Sequence, residues 1–261
     1  IGPLNIMNLG LEISSGDYVQ FPSADDRMCS NLFEEAAKQF KHHPDAGVFC
    51  GLAYQMEKNG KFQNLIRSPL ISSTSVHLTP EKVKKCFIKY GFWIVGQTMI
   101  FNKSSFKKLD IKFNPSLEHY SDIFIALIIS LKFGACFTPK TLASWRYYSG
   151  YAEQHFSNQN FENELFLKFI KICSSEEFND LVPKSLLDEM TISKKYFYLN
   201  RRFFHDNKNR FLEFKLIKII FKSLTYLYVY KWQLIKLFRI IWGKRRYKEQ
   251  FIIKDDSLLR K

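Results

Sequence analysis

Residues 16–26 read GDYVQFPSADD, and this stretch decides the fold. The stretch over 17–21, which carries Tyr18, Val19 and Phe21, is typical of a short buried strand, and Gly16 supplies the turn before it. Pro22 ends the strand, since proline has no N–H to donate to a neighbouring strand. The stretch therefore predicts a strand followed by a loop that carries two adjacent carboxylates, Asp25 and Asp26.

Helices and strands alternate along the chain that follows this stretch. Further strands are predicted over Ala46–Tyr54, Phe92–Asn102 and Ala135–Phe137, the last closed by Pro139, and helices over Ser30–His42, from Thr79-Pro80, over Ser121–Lys132 and over Phe161–Ile172. For the first helix we expect Ser30 as the N-cap and a buried face made of Leu32, Phe33, Ala36, Ala37 and Phe40. Such alternation predicts an α/β protein with a mostly parallel sheet.

The excess of basic residues is confined to the end of the chain. The sequence has 39 Lys and Arg against 25 Asp and Glu, a net charge of +14, and the whole excess falls after residue 193. Ten of the 11 glycines lie at or before Gly150, as expected for a loop-rich body followed by a helical tail. We therefore predict a catalytic-type body over 1–150, a helical connector over 151–200 and a basic helical tail over 201–261.

The tail combines cationic and apolar residues at helical intervals. Lysines interrupt every stretch that would be long enough to span a membrane, so an amphipathic helix lying in the plane of an anionic membrane through residues 201–250 fits better. The alternative is a helix that packs its apolar face on the body and leaves its lysines in water. Charge alone also permits nucleic-acid binding, but no known nucleic-acid motif accompanies it, and we expect no nucleic-acid partner.

Three carboxylates stand where chemistry is expected. Asp25 and Asp26 follow a strand end, which is where open α/β sheets bind ligands, and hard carboxylate oxygens suit Mg²⁺ or Mn²⁺. Asp122 opens the apolar helix, at a position suited to a general base that takes a proton from a hydroxyl. Each has an alternative role as an N-terminal helix carboxylate that caps the helix or complements its dipole.

An ordered set of motifs resembles glycosyltransferase family 2 over about residues 1–150. The set consists of Asn8-x-Gly10, Gly16-Asp17-Tyr18-Val19, Ser23-Ala24-Asp25-Asp26, His43-Pro44-Asp45 with Val48, Phe101-Asn102-Lys103-Ser104, Ser121-Asp122-Ile123-Phe124, Gly134-Ala135-Cys136-Phe137-Thr138-Pro139 and Trp145-Arg146-Tyr147-Tyr148. The resemblance implies an α/β protein with a GT-A (Rossmann-like) mixed sheet flanked by helices, here followed by the amphipathic basic tail. It also implies a nucleotide-diphospho-sugar donor and a Mg²⁺ or Mn²⁺ cofactor.

The resemblance also assigns roles to individual residues. Asp25 matches the last position of the family's Asp-x-Asp metal motif, and Asp26 matches the acidic residue that commonly follows it. Asp122 matches the catalytic base of an inverting transfer, and Arg146 matches a basic residue near the donor diphosphate. Separately, Trp93 is a candidate for the acceptor site, because aromatic rings stack on the apolar faces of sugars, and the alternative for this residue is a place in the core.

Four positions depart from the family pattern. Ser23 replaces the first Asp of the metal motif, Ser121 a frequent Glu beside the base, Tyr148 a frequent His and Met7 a basic residue. The chain also begins after the family's nucleobase-binding unit, so we expect an N-terminally truncated fragment that binds nucleotide weakly by itself.

These observations favour an inverting, metal-dependent glycosyltransferase that acts on a glycan or lipid-linked acceptor. The alternative is a non-catalytic membrane-surface or scaffold module with a degenerate sugar-nucleotide fold. Five widely spaced cysteines without a CxxC pair favour a reducing compartment. We therefore expect a cytoplasmic protein, peripheral on the inner face of the membrane.

Overall fold

A computed structural model describes residues 2–57, 59–66, 68–146 and 159–192. The chain divides into two compact units, Ile1–Lys194 and Lys195–Lys261, and the described residues all belong to the first. The predictions made for Tyr148 and for the tail over 201–261 concern residues outside the described part. The boundaries expected near residues 150 and 200 stay predictions.

The described residues form seven helices and a seven-stranded sheet. The helices are α1 (Pro3–Ile13), α2 (Leu32–His42), α3 (Pro80–Tyr90), α4 (Lys103–Leu109), α5 (Ser121–Phe133), α6 (Gln159–Cys173) and α7 (184–192). The strands are β1 (Tyr18–Val19), β2 (Arg27–Met28), β3 (Val48–Met56), β4 (Phe62–Leu65), β5 (Val76–Leu78), β6 (Ile100–Asn102) and β7 (Ala135–Arg146). In this part of the chain, no helix is long and apolar enough to cross a bilayer.

The sheet is mixed, and its strand order is β1-β6-β3-β7-β2, with β4 paired to β3 and β5 to β7. Only β3 and β7 pair in parallel among the described strands; the other five pairings are antiparallel. The expectation of a mostly parallel sheet was wrong, because short antiparallel strands fill the crossover between β3 and β7 and both edges of the sheet. The mixed α/β sheet flanked by helices is confirmed.

Strand β7 runs straight through the proline that was expected to end it. Its register with β3 shifts between the pairs Cys50–Phe137 and Leu52–Thr141, so Pro139 falls in an irregular step of the ladder. A residue without an N–H is tolerated at such a step. Strand β7 therefore continues from Ala135 to Arg146 and carries the chain to the candidate site.

The segment expected to be one strand over Phe92–Asn102 is broken by a 3₁₀ turn at Gly96–Thr98. The hydroxyl of Thr98 accepts a hydrogen bond from the N–H of Gly51 (2.9 Å) and donates one to the carbonyl of Gly51 (3.0 Å). Gly51 lies at the irregular step of β3, where these backbone groups need partners. The turn forms because it brings Thr98 to that step.

The N-cap of helix α2 lies one residue later than expected, and the helix buries a narrower face. Its N-cap is Asn31 rather than Ser30, and the buried apolar residues are Leu32, Ala36 and Phe40. Phe33 is 55% exposed and Ala37 is also exposed, contrary to the expected face. The apolar part of the buried face is the i, i+4, i+8 stripe, and Glu35 is buried beside it with its carboxylate bound to Lys140 of β7. Helix α5, by contrast, is buried almost throughout, as its apolar sequence predicts.

Candidate active site

The loop that carries Asp25 and Asp26 is fastened to the end of β7. Oδ1 of Asp26 accepts a hydrogen bond from the backbone N–H of Arg146 (2.8 Å). In return, Nε of Arg146 donates to the carbonyl of Asp25 (2.8 Å), and Nη1 donates to the carbonyl of Glu57 (3.3 Å). Strand β2 continues the attachment by pairing with Ala143 and Ser144. The structure thus brings Asp25, Asp26 and Arg146 together, as the resemblance implies.

The two carboxylates of this loop have different surroundings. Asp25 is exposed, whereas Asp26 is partly buried. Burial, aided by the charge of Asp25, raises the pKa of Asp26 to about 6, although hydrogen bonds from the Arg146 N–H and the Gln97 side chain oppose the rise. Because its oxygens already take these hydrogen bonds, Asp26 acts here as a fastening residue of the loop. Asp25 is the carboxylate left facing solvent.

Asp122 lies in the first turn of α5, as the sequence predicts. Its Oδ1 accepts a hydrogen bond from the N–H of Ile123 (2.7 Å), so it has the helix-end contact that the alternative reading describes. Burial raises the pKa of Asp122 to about 6, more than its hydrogen bonds to backbone N–H groups lower it. A carboxylate with this pKa is ionised at neutral pH and basic enough to accept a proton from a reacting hydroxyl.

The 3₁₀ turn at Gly96–Thr98 joins the Asp26 side of the site to Asp122. The side chain of Gln97 hydrogen-bonds Asp26, and Nε2 of Gln20 donates to the carbonyl of Gln97 (3.2 Å). A Cβ added to the neighbouring Gly96 would lie 3.8 Å from Oδ2 of Asp122. Sequence reasoning missed this turn, although a Gly-Gln-Thr interruption between two apolar segments was the available signal.

Two residues singled out from the sequence serve the fold instead. The ring of Trp93 is fully buried between Phe87 (5.5 Å between centroids) and Phe137 (6.0 Å), so the prediction that it lines an acceptor site was wrong. Asn8, the start of the first family motif, bridges backbone: its side chain donates to the carbonyl of Phe113 and accepts from the Phe113 N–H, both at 2.8 Å. This contact fastens α1 to the segment before α5.

Ser23 and Ser121, which depart from the family pattern, both take part in local hydrogen bonds. Ser23 is exposed in the loop, and its carbonyl accepts the N–H of Asp26 (3.2 Å), which closes the turn. Ser121 is buried, and its hydroxyl accepts the N–H of Asn114 (2.7 Å). Neither residue adds a carboxylate to the site.

The described residues contain no group of three or more His, Cys, Asp or Glu side chains that would hold a metal ion by themselves. They offer the exposed carboxylate of Asp25 beside the Arg146 guanidinium. Mg²⁺ usually binds to one or two carboxylates and takes its remaining ligands from water and substrate phosphate. This donor set would suit a divalent cation that arrives with a diphosphate, with Asp25 as its ligand from the protein.

No family model matches the chain, and no curated protein matches it in sequence. Among solved structures the chain is similar to S. aureus TarS, a glycosyltransferase, at 18% identity over 83% of this chain. The TM-score is 0.51 for one TarS structure, of which the chain covers 34%. It is 0.48 for TarS 1–349 and 0.47 for TarS 1–349 in complex with UDP, of which the chain covers 56%.

The similarity at a TM-score of 0.51 shows that the chain shares the α/β fold of TarS. At 18% identity it shows the fold alone. The chain spans 34% to 56% of the length of the structures it resembles.

Proposed function

We propose that this chain carries the catalytic carboxylate of a family 2 glycosyltransferase, which moves a sugar from a nucleotide-diphosphate donor to a glycan or lipid-linked acceptor with inversion. The observation that carries the proposal is that one turn, Gly96–Thr98, contacts both the loop of Asp25 and Asp26 and the carboxylate of Asp122. Gln97 of the Gly96–Thr98 turn hydrogen-bonds Asp26, whose loop is bound to Arg146 through Asp25, and the neighbouring Gly96 lies beside Oδ2 of Asp122. An inverting transfer needs a region for the leaving diphosphate and a base close to it.

Asp122 is the general base in this mechanism. Its Oδ2 lies beside Gly96, where the absence of a side chain leaves room for an acceptor hydroxyl to approach. The carboxylate takes the hydroxyl proton while the oxygen attacks the sugar carbon, and the bond to the diphosphate breaks on the opposite face. The pKa of about 6 keeps Asp122 ionised at neutral pH before the transfer.

Asp25 and Arg146 serve the leaving group. Asp25 would hold Mg²⁺ or Mn²⁺, which when bound offsets negative charge on the departing diphosphate. Arg146 adds positive charge at the same loop, and its hydrogen bond to the Asp25 carbonyl fixes the distance between the two residues. Because this region supplies few ligands, the cation and the nucleotide are expected to bind together rather than one after the other.

The proposal is tested by donor turnover in the protein at its full natural length. A panel of uridine, guanosine and thymidine diphospho-sugars is offered with Mn²⁺, Mg²⁺ or EDTA, and release of the nucleoside diphosphate is measured. We expect release that needs the cation and is lost in Asp122→Asn, while the exposed control Asp180→Asn keeps it. Full turnover in Asp122→Asn would reject Asp122 as the base.

The same assay separates the transferase from the alternative non-catalytic module. A module with a degenerate site would release no nucleoside diphosphate from any donor, with or without cation. The anionic-membrane contact through residues 201–250 and the cytoplasmic, membrane-peripheral location stay proposals, checked by co-sedimentation of the protein with vesicles that contain anionic lipid.

A further inference from the structure

A buried carboxylate on α6 contacts the segment that immediately precedes Asp122 in the sequence. Glu162 is only 2% exposed. Its Oε1 lies 2.7 Å from Nε2 of His119, and its Oε2 accepts a hydrogen bond from the hydroxyl of Tyr120 (3.3 Å). Two consecutive residues of one turn therefore contact the two oxygens of one carboxylate, His119 through a close N···O approach and Tyr120 through a hydrogen bond.

The segment that Glu162 contacts has a backbone conformation that is unfavourable by itself. His119 and Tyr120 end the 3₁₀ turn Pro115–Tyr120, and Tyr120 is the N-cap residue of α5. Inside this turn Glu118 has φ 49° and ψ −130°, a backbone conformation that non-glycine residues rarely adopt. Such a conformation persists only where surrounding contacts impose it, and the contacts to Glu162 lie one and two residues further on.

The packing of α6 on the segment before α5 does not require a buried carboxylate, because apolar contacts already hold the helix there. Leu165, Phe166 and Phe169 are buried on the same helix, and Tyr120 packs on the rings of Phe166 (6.0 Å) and Phe169 (5.6 Å). Apolar residues commonly replace buried charged groups with no loss of stability, so stability gives little reason for a carboxylate here. What the carboxylate adds is orientation, because the hydrogen bond from Tyr120 and the close contact with His119 hold both residues against one rigid group.

We propose that Glu162 is a positioning residue for Asp122: through His119 and Tyr120 it fixes the entry into α5 and so the place of the Asp122 carboxylate. This inference rests on the proposed function in taking Asp122 as the base. It also gives α6 a role in supporting the proposed active site, whereas the sequence predicted that this helix belongs to a connector.

The test compares Glu162→Gln with Glu164→Gln, an exposed glutamate on the same helix. Steady-state turnover gives kcat and the KM for donor, and ¹³C NMR of labelled aspartate gives the pKa of Asp122. In Glu162→Gln we expect kcat to fall by about 10- to 100-fold with an unchanged KM, since small displacements of a reacting group cost this much. The pKa of Asp122 should fall toward the ordinary range, because the helix end opens to water. Glu164→Gln should match the wild type in all three.

Each outcome of this comparison decides the proposal. Unchanged kcat and an unchanged Asp122 pKa in folded Glu162→Gln would overturn it, and so would equal changes in Glu164→Gln. If Glu162→Gln does not fold by circular dichroism, Tyr120→Phe replaces it, because that change removes only the hydroxyl; wild-type kcat and Asp122 pKa in Tyr120→Phe would then overturn the proposal. If the wild type itself turns over no donor, the proposed function fails, while the NMR titration still decides whether Glu162 positions Asp122.

Discussion

Asp122→Asn is expected to abolish turnover and, at neutral pH, to make the folded protein more stable. Burial raises the pKa of Asp122 from its ordinary value of 3.8 to about 6. A tenfold change in an ionisation constant is worth about 1.4 kcal/mol, so keeping this carboxylate ionised in the folded state costs about 3 kcal/mol. Asparagine is neutral and nearly isosteric, and its carbonyl oxygen can still accept the N–H of Ile123.

The sign of the pH dependence follows from the raised pKa. The folded state binds a proton at Asp122 more tightly than the unfolded state, so the wild type loses stability as pH rises from about 4 to about 6. The variant has no proton to bind there and lacks this loss. Its advantage should therefore be about 0.5 kcal/mol near pH 4 and about 3 kcal/mol near pH 7.5.

Urea unfolding followed by tryptophan fluorescence measures the difference, since Trp93 is fully buried in the folded state. Asp180→Asn, an exposed aspartate in a turn, serves as the control and should show no pH-dependent advantage. The reasoning is refuted if Asp122→Asn is no more stable than the wild type near pH 7.5, or if its advantage is the same at both pH values. If Asp122→Asn loses activity and gains stability, the Asp122 carboxylate is needed for activity although it lowers the free energy of unfolding.

Three further changes test the backbone and the loop. Gly134→Ala should lower the free energy of unfolding by about 2–4 kcal/mol in urea, because φ is +81° and a Cβ would lie 2.5 Å from the carbonyl oxygen of Leu78. Asp110→Gly should raise the free energy of unfolding by up to about 1 kcal/mol, measured as a higher melting temperature, because Asp110 ends α4 with φ 50°. Asp110→Ala should give no such gain. Arg146→Lys should weaken donor binding by about tenfold in calorimetry, because lysine lacks the planar guanidinium that can donate to the Asp25 carbonyl and to the proposed diphosphate together. Unchanged affinity would contradict a role for Arg146 at the diphosphate.

Local sequence patterns predicted those parts of the fold that depend on neighbouring residues. The apolar run that becomes α5 lies between Ser121 and Gly134, and both ends follow from the sequence. The loop with Asp25 and Asp26 follows a strand end, as the proline after residues 17–21 indicates. Each of these features is decided within a window of about a dozen residues, which is the range over which periodicity and turn residues act.

The features that the sequence did not predict depend on contacts between distant residues. Thr98 leaves the expected strand because its hydroxyl pairs with the backbone of Gly51, 47 residues earlier. Pro139 stays inside β7 because the facing strand β3 shifts its register. Glu162 lies on a helix with an ordinary amphipathic pattern, and its partner Tyr120 is 42 residues away. No local pattern marks such a residue as part of a site.

Two carboxyls near the Gly96–Thr98 turn have a pKa of about 6, and their hydrogen bonds decide which is suited to catalysis. Asp26 is fastened from two sides, by the backbone of Arg146 and the side chain of Gln97, so a proton arriving there would break the loop's attachment. Asp122 directs Oδ1 to its own helix and presents Oδ2 toward Gly96, the position without a side chain. A general base needs one oxygen held and one oxygen open to the substrate. A raised pKa alone would choose neither carboxyl, and this difference in geometry is why we propose Asp122 as the base.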